Sequence, residues 1–269
     1  MEMTTLGPDG TYASQGVKKF FPDADVKFVA TISQVLDAGK MGKVIVLPLE
    51  NSIEGTVRLS WDGMLDRRLK LCGIFKLPVH HVLGTKSRSL RAVKKVVSHP
   101  QAISQCRKFI EKNMPGAKIE YVGSTAEAAA RARRSASTAA IASEYACDVY
   151  ELPILKKGIE DEKGNVTIFG VAGLARLGEI FPKNEKNEMH VVVTPRQNMP
   201  GLLFNILKPF NDHKVDLTRL ESRPTRKKLG EYRFLLSFRL ENVGRVDKVL
   251  KILKKNYKVD ILGESVSLN

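Results

Sequence analysis

Three clusters of small polar residues follow or interrupt apolar runs, and their side chains could hydrogen-bond a small ligand. The clusters are residues 48–52 (Pro-Leu-Glu-Asn-Ser), 98–101 (Ser-His-Pro-Gln) and 165–167 (Asn-Val-Thr). Apolar runs such as 44–47 are typical of buried parallel strands, and ligands of open α/β sheets bind beyond the carboxyl ends of such strands. We therefore expect the three clusters to line one crevice.

The first cluster continues into a predicted helix at residues 57–65. Residues 51–56 between them are small or polar, and free backbone amides at a helix start form a cradle for anions. A fourth cluster, 220–224 (Leu-Glu-Ser-Arg-Pro), closes an apolar run near the C-terminus. We place it outside the crevice.

Composition bounds the class of protein. A chain of 269 residues with 43% hydrophobic residues can bury a sizeable core, and more plausibly two or three units of ordinary size. No apolar run reaches about 18 residues, and the N-terminus lacks the regions of a signal peptide, so we predict a cytoplasmic protein without a membrane segment. The three cysteines lack close spacing, and we interpret them as small buried residues rather than disulfide or zinc ligands.

The net charge of +15 raises the possibility of a nucleic-acid partner. The lysines and arginines are scattered, however, and no aromatic residues interleave them as a stacking platform requires. We interpret them as solvated surface and predict no nucleic-acid partner. The positive field is compatible with a small dianionic substrate.

Strand and helix patterns alternate from the N-terminus, with a predicted helix at 11–20, and indicate a parallel sheet. The pattern begins again with a strand at 77–83 and a helix at 101–112. A strand at 165–172 returns toward the first part. We therefore predict an α/β fold whose two lobes form a clamshell around a crevice.

Residues from about 186 onward form a separate module. Its predicted elements follow the order βαββαβ, which is the ferredoxin-like arrangement. The polar segment 182–187 is the predicted linker.

Six segments, in this order, resemble motifs of prephenate dehydratases fused to an ACT regulatory domain. They are residues 7–14, 48–57, 98–102, 165–169, 200–203 and 221–224. The resemblance implies a periplasmic-binding-protein-like catalytic domain at 1–183, with one lobe at about 1–76 and 160–183 and the other at about 77–159. It implies a ferredoxin-like ACT domain at 187–269.

The resemblance also implies a function. Such an enzyme converts prephenate to phenylpyruvate, with loss of carbon dioxide and water, in phenylalanine biosynthesis, and phenylalanine regulates it by feedback. Aromatisation drives the reaction, so no metal or redox cofactor is needed. A homodimer or homotetramer is expected.

Site residues follow from the same resemblance. Thr167 is the expected donor to the leaving hydroxyl group, and Asn51, Ser52 and Glu50 complete the catalytic set. The expected substrate-binding residues are Thr11, Ser14, Gly55, Ser98, Gln101 and Phe169. The expected phenylalanine-binding residues are Pro200, Gly201, Leu202, Leu203, Glu221, Ser222, Arg223 and Pro224.

The chain departs from the family pattern at two positions. Ile168 stands where the family has arginine after the threonine, and Ile74 stands where it usually has glutamate. One hypothesis is that the family's two charges form a buried pair, which this chain replaces with an apolar contact. The other is that Ile168 replaces a substrate-binding arginine, which would lower turnover.

Other readings stay open at this point. Asn51 and Ser52 could cap the following helix, and Glu50 could orient its neighbours rather than transfer protons. An arogenate dehydratase is a close alternative, although we find no acidic residue to assign to the ammonium group of arogenate. A non-catalytic amino-acid sensor is a further alternative, because a clamshell with an ACT module is also a binding-protein architecture.

Overall fold

The computed structural model describes residues 1–174, 181, 187–225 and 231–268. The strands are β1 (Glu2–Leu6), β2 (Asp25–Val29), β3 (Val44–Asn51), β4 (Gly55–Thr56), β5 (Lys70–Pro78), β6 (Val82–Thr85), β7 (Lys95–Ser98), β8 (Lys118–Tyr121), β9 (Thr138–Ala142), β10 (Ile154–Lys157), β11 (Val166–Gly173), β12 (Glu188–Thr194), β13 (Leu217–Pro224), β14 (Tyr232–Arg239) and β15 (Lys258–Leu268). The helices are α1 (Tyr12–Phe20), α2 (Ile32–Lys40), α3 (Arg58–Asp66), α4 (Pro100–Gln105), α5 (Arg107–Asn113), α6 (Thr125–Ala132), α7 (Glu144–Val149), α8 (Leu202–Asp212) and α9 (Val243–Asn256).

These elements form two compact units. The first contains Met1–Ala38, Ile45–Ser60 and Phe75–Phe169, and the second contains Gly39–Val44, Trp61–Ile74 and Gly170–Asn269. The predicted boundaries at 183 and 187 and the lobe limits stay predictions. Most of the predicted linker, residues 182–186, lies outside the described part of the chain.

The first sheet of the first unit has the strand order β11-β3-β1-β2. β1 and β2 are parallel, as the strand and helix alternation predicts. Thr11 caps helix α1, since its side chain accepts a hydrogen bond from the Ser14 amide. The helix then packs closely, because a Cβ atom at Gly16 would lie 2.3 Å from the Phe75 ring.

The second sheet of the first unit has the order β10-β6-β9-β7-β8. β7 pairs in parallel with β8 and β9, and β6 pairs antiparallel with β9 and β10. Its two faces are covered by buried alanine, valine and isoleucine side chains of the surrounding helices and strands. This sheet supplies the 98–101 cluster at the carboxyl end of β7.

Two predicted elements are each divided in the structure. The strand predicted at 77–83 is wrong as a single element, because the His81 amide donates to Glu160 instead of to a neighbouring strand. β5 therefore ends at Pro78, and β6 begins at Val82. The helix predicted at 101–112 breaks at Cys106, whose amide donates to Ile103 three residues earlier.

The second unit has the strand order β13-β14-β12-β15-β5. From β12 onward its elements follow the predicted order βαββαβ. Helices α8 and α9 cover one face of the sheet and bury a core of aliphatic and phenylalanine side chains, including Phe210 and Phe238. The ferredoxin-like module is therefore confirmed.

All three cysteines are free and buried, as predicted. Burial raises the pKa of the Cys147 thiol to about 12, so this group stays protonated at neutral pH. Within the described residues, no helix has the length and apolar content to cross a membrane.

Candidate active site

The first unit contains a cavity of about 300 Å³, a volume at the lower end of the range for small-molecule sites. Its lining is Leu6, Gly7, Thr11, Tyr12, Ala13, Ala30, Pro48, Asn51, Val79, His81, His99, Gln101, Ala102, Gln105, Gly123, Ser124, Thr125, Asn165, Thr167 and Phe169. Members of all three polar clusters meet here, as expected. None of these lining residues is Asp, Glu, Lys or Arg, so the described wall offers no carboxylate, ammonium or guanidinium group.

Asn51 holds a fixed orientation at the end of β3. Its Oδ1 atom accepts the backbone amides of Ile53 and Glu54, both at 3.1 Å. A backbone amide can only donate, so the amino group of Asn51 must point the other way. Its Nδ2 donates to Asn165 Oδ1 at 2.6 Å and to Thr167 Oγ1 at 3.0 Å.

Thr167 therefore receives a hydrogen bond from Asn51. A hydroxyl group has one proton and two acceptor positions, so this bond leaves the hydroxyl proton available to a ligand. Thr167 and Phe169 alternate along β11 and both line the cavity. Phe169 stacks on Phe75 with 5.3 Å between ring centroids, which fixes the strand beneath the hydroxyl.

Thr11 and Gln101 also line the cavity, each near the start of a helix. The Thr11 hydroxyl donates a hydrogen bond to the Leu6 carbonyl. Thr11 therefore both caps helix α1 and forms part of the cavity wall. Gln101 lies in the first turn of α4. Its backbone amide donates a hydrogen bond to Nδ1 of the His99 side chain. Thr125 and Ser124 contribute the start of helix α6.

Five expected site residues do not line the cavity. Ser98 is fully buried and donates to the Ile141 carbonyl at 2.6 Å. Ser14 donates to Asp9 Oδ1 at 2.6 Å. The Ser52 hydroxyl accepts a hydrogen bond from the Val166 amide at 2.9 Å and donates one to the Asn165 side chain. Ser52 therefore holds the start of β11 in place without lining the cavity.

Glu50 and Gly55 complete this group. Glu50 precedes Asn51 in β3 and therefore projects to the opposite face of the strand. Gly55 has φ of 79° and belongs to the short strand β4. Two amides of the predicted anion cradle, those of residues 53 and 54, already donate to Asn51 Oδ1, and the cradle itself stays a prediction.

Several polar cavity residues are absent from the expected site residues, among them Tyr12, His81, Gln105 and Asn165, although Asn165 belongs to the 165–167 cluster. Two of them carried a usable signal. Asn165 lies two residues before Thr167, which is strand spacing for one face. Gln105 follows Gln101 by four residues, which is helix spacing for one face. His81 carried no such signal, because it lies in the break between β5 and β6.

Ile168 lies between the two cavity residues of β11 and is half-buried outside the cavity wall. The hypothesis that it replaces a substrate-binding arginine receives no support from this position. The predicted pairing with Ile74 stays a prediction, since the two residues belong to different units.

The expected effector residues belong to the second unit. Gly201 is the N-cap of helix α8 and has φ of 75°, a backbone conformation that favours glycine. Leu202 is buried, while Pro200, Leu203, Ser222 and Pro224 are exposed. Arg223 is only 5% exposed, and its Nε atom lies 3.1 Å from a carboxylate oxygen of Glu221.

Comparison with known proteins shows which family has this fold. Residues 3–176 match the prephenate dehydratase family model, and residues 191–256 match the ACT domain model. A prephenate dehydratase of Methanocaldococcus jannaschii is 36% identical over 265 residues, covering 96% of this chain and 95% of that protein.

Two solved structures are similar over nearly the whole chain. A prephenate dehydratase of Staphylococcus aureus has a TM-score of 0.86 at 29% identity, covering 98% of this chain and 100% of its own. A prephenate dehydratase of Arthrobacter aurescens in complex with L-Phe has a TM-score of 0.87 at 26% identity, covering 99% and 90%.

The fold and the site define a class: an α/β protein with a periplasmic-binding-protein-like domain and a C-terminal ACT domain, as predicted. The chain belongs to the prephenate dehydratase family. It is therefore an enzyme of the lyase class, a decarboxylating dehydratase.

Proposed function

We propose that the cavity of the first unit converts prephenate to phenylpyruvate, with Thr167 as the donor to the leaving hydroxyl group. The carbon–carbon bond to the ring carboxylate breaks and releases carbon dioxide. Its electron pair enters the ring, which becomes aromatic as the carbon–oxygen bond breaks. The departing oxygen takes a proton from solvent, through or beside the Thr167 hydroxyl group, and leaves as water.

The single observation that carries this role is the bond from Asn51 to Thr167 at 3.0 Å. It occupies an acceptor position of the hydroxyl group and leaves the proton free to donate. A neutral hydroxyl is a weak acid, so its contribution is a hydrogen bond that strengthens as negative charge develops on the leaving oxygen.

The charge of the described cavity wall favours prephenate over arogenate. An ammonium group in this site would be desolvated beside a lining that offers it no carboxylate. The keto group of prephenate needs only a neutral donor. Carboxylates of the substrate likewise meet amide and hydroxyl donors such as Gln101 and Thr125, without a like charge to repel them.

Phenylpyruvate formation tests the activity. The protein should form phenylpyruvate from prephenate, and Thr167→Val should lower kcat by roughly 10²- to 10⁴-fold because it keeps the shape but removes the donor. Thr167→Ser should retain most activity. Arogenate should react poorly in the same assay. A protein that binds amino acids but transforms neither substrate would instead be a sensor.

We also propose that phenylalanine regulates the enzyme through the ACT domain. Two observations support this proposal. Gly201, with φ of 75°, lies at the start of an apolar helix, and Arg223 of the 221–224 segment is buried. A related protein is described in complex with L-Phe. Phenylalanine should change prephenate affinity, and prephenate should change phenylalanine affinity by the same factor. Gly201→Ala, which strains the backbone, should weaken the phenylalanine effect while leaving basal kcat unchanged.

Assembly and location complete the proposal. A homodimer or homotetramer in the cytoplasm remains our prediction from the sequence. Sedimentation equilibrium with and without phenylalanine measures the assembly directly.

A further inference from the structure

A chain of hydrogen bonds continues from Asn51 across the floor of the cavity. Asn51 donates to Oδ1 of Asn165, so the other side-chain atom of Asn165 is its amino group. That group donates to Oε1 of Gln105 at 3.2 Å. Asn51 accepts hydrogen bonds from two backbone amides, which fixes its acceptor end. Each carboxamide has one acceptor end and one donor end, so the donor and acceptor of every later hydrogen bond in the chain follow from this one.

His81 ends this chain. Its Nε2 atom lies 2.9 Å from the same Oε1 of Gln105. A carboxamide oxygen cannot donate, so Nε2 must carry a proton. Neutral histidine has one ring N–H, and Nδ1 is then an acceptor. The backbone amides of residues 53 and 54 thus set the tautomer of His81, although they lie 28 and 27 residues earlier in the sequence.

Burial keeps His81 in its neutral form. The residue is 3% exposed, and this burial lowers the pKa of the imidazole. Its backbone amide donates to Glu160 at 3.1 Å, and the Tyr12 ring packs edge-on at 6.5 Å between centroids. Backbone and ring are both held, so the imidazole has a defined position.

Two polar atoms at this end of the chain have no protein partner. They are Nε2 of Gln105 and Nδ1 of His81, both buried. Both residues line the cavity. Buried polar groups normally find a partner, so a ligand or water that reaches these two residues would complete their hydrogen bonding.

We propose that His81 is a positioning residue for the dehydratase reaction: its Nε2–H holds the Gln105 carboxamide so that the amino group is presented to the substrate. This inference rests on the proposed function of the cavity. Oε1 of Gln105 is held by two donors, Asn165 and His81. Loss of one lets the carboxamide rotate, and an oxygen then meets the substrate where a donor is required.

The variants follow from this geometry. His81→Phe keeps a planar ring but removes the donor, and it should lower kcat/KM by about 10- to 100-fold, mainly by raising KM. His81→Gln places an amino group near the Nε2 position and should recover most of the loss. Gln105→Ala should itself lower kcat/KM. The double variant should be little worse than Gln105→Ala alone, because His81 acts through Gln105.

A spectroscopic readout completes the test. Nitrogen-15 NMR of the free protein should show His81 protonated at Nε2 and unprotonated at Nδ1 near neutral pH, and this measurement needs no activity. An Nδ1–H tautomer, or equal losses from His81→Phe with and without Gln105, would overturn the inference. A wild-type protein that forms no phenylpyruvate but shows the Nε2–H tautomer would instead overturn the proposed function alone.

Discussion

Asn51 Nδ2 lies 3.0 Å from Thr167 Oγ1, and the orientation of this bond determines what the threonine can do. The donor end of Asn51 faces Thr167 because its acceptor end is committed to the amides of residues 53 and 54. The threonine hydroxyl is an acceptor within the protein, and its own proton stays available for donation. Both roles come from valence rules applied to contacts between distant parts of the chain.

Asn51→Asp tests this relationship with almost no change in shape. A carboxylate accepts where the amide donated, so the Thr167 proton would turn toward residue 51 and away from the substrate. We expect kcat to fall by roughly 10²- to 10³-fold. Steady-state kinetics measures the loss, and Ser52→Ala, which alters a neighbour outside the cavity wall, should cost less. A kcat close to wild type would contradict the assigned direction.

Ile168→Arg restores the family's residue at that position. Because Ile168 lies off the cavity wall, the arginine should not raise kcat/KM for prephenate. A half-buried cation without its partner should instead lower stability. Kinetics and urea denaturation of this variant, with Ile168→Val as control, separate the two effects. A tenfold gain in kcat/KM would show that the position contacts substrate.

Gly16→Ala tests the packing beneath the cavity. The added Cβ would lie 2.3 Å from the Phe75 ring, so either the ring or helix α1 must move. Such overpacking typically costs about 1–3 kcal/mol of unfolding free energy. Gly116→Ala is a matched control, since nothing lies within 4 Å of the added atom. Equal urea midpoints for the two variants would disprove the close approach.

His190 should make stability depend on pH. It is 1% exposed and bonded to the hydroxyl groups of Ser237 and Ser265, both at 2.8 Å. Burial lowers its pKa from 6.5 to about 3. Below pH 6.5 the unfolded chain therefore binds a proton that the folded chain does not, and the free energy of unfolding falls as pH falls.

The expected limiting slope from this one group is about 1.4 kcal/mol per pH unit. Urea denaturation from about pH 6 to about pH 4 measures it against His190→Gln, which can still hydrogen-bond but does not titrate. Carboxylates titrate in both proteins and cancel in the difference. The variant should give the shallower curve, and parallel curves would show that His190 is protonated in the fold.

The sequence by itself determined the class of fold and the family. Hydrophobic periodicity and turn residues are local, so the alternation of elements and the βαββαβ order could be predicted from short segments. The polar clusters predicted that Asn51, Gln101 and Thr167 share one crevice, and all three line the cavity, but the 165–167 cluster begins β11 instead of following a strand. Local patterns failed where distant groups intervened, as at His81, whose amide bonds to Glu160 and interrupts a predicted strand.

Only the tertiary structure decided which polar groups remain available to a ligand. Ser14 and Ser98 have suitable side chains, but their hydroxyl protons are committed to Asp9 and to the Ile141 carbonyl. Gln105 and His81 became candidates because each retains an unpartnered atom. The hydrogen-bond capacity of a side chain is often filled by a residue far away in the sequence. Asn51 and Asn165, for example, are 114 positions apart, and no local pattern encodes such a pair.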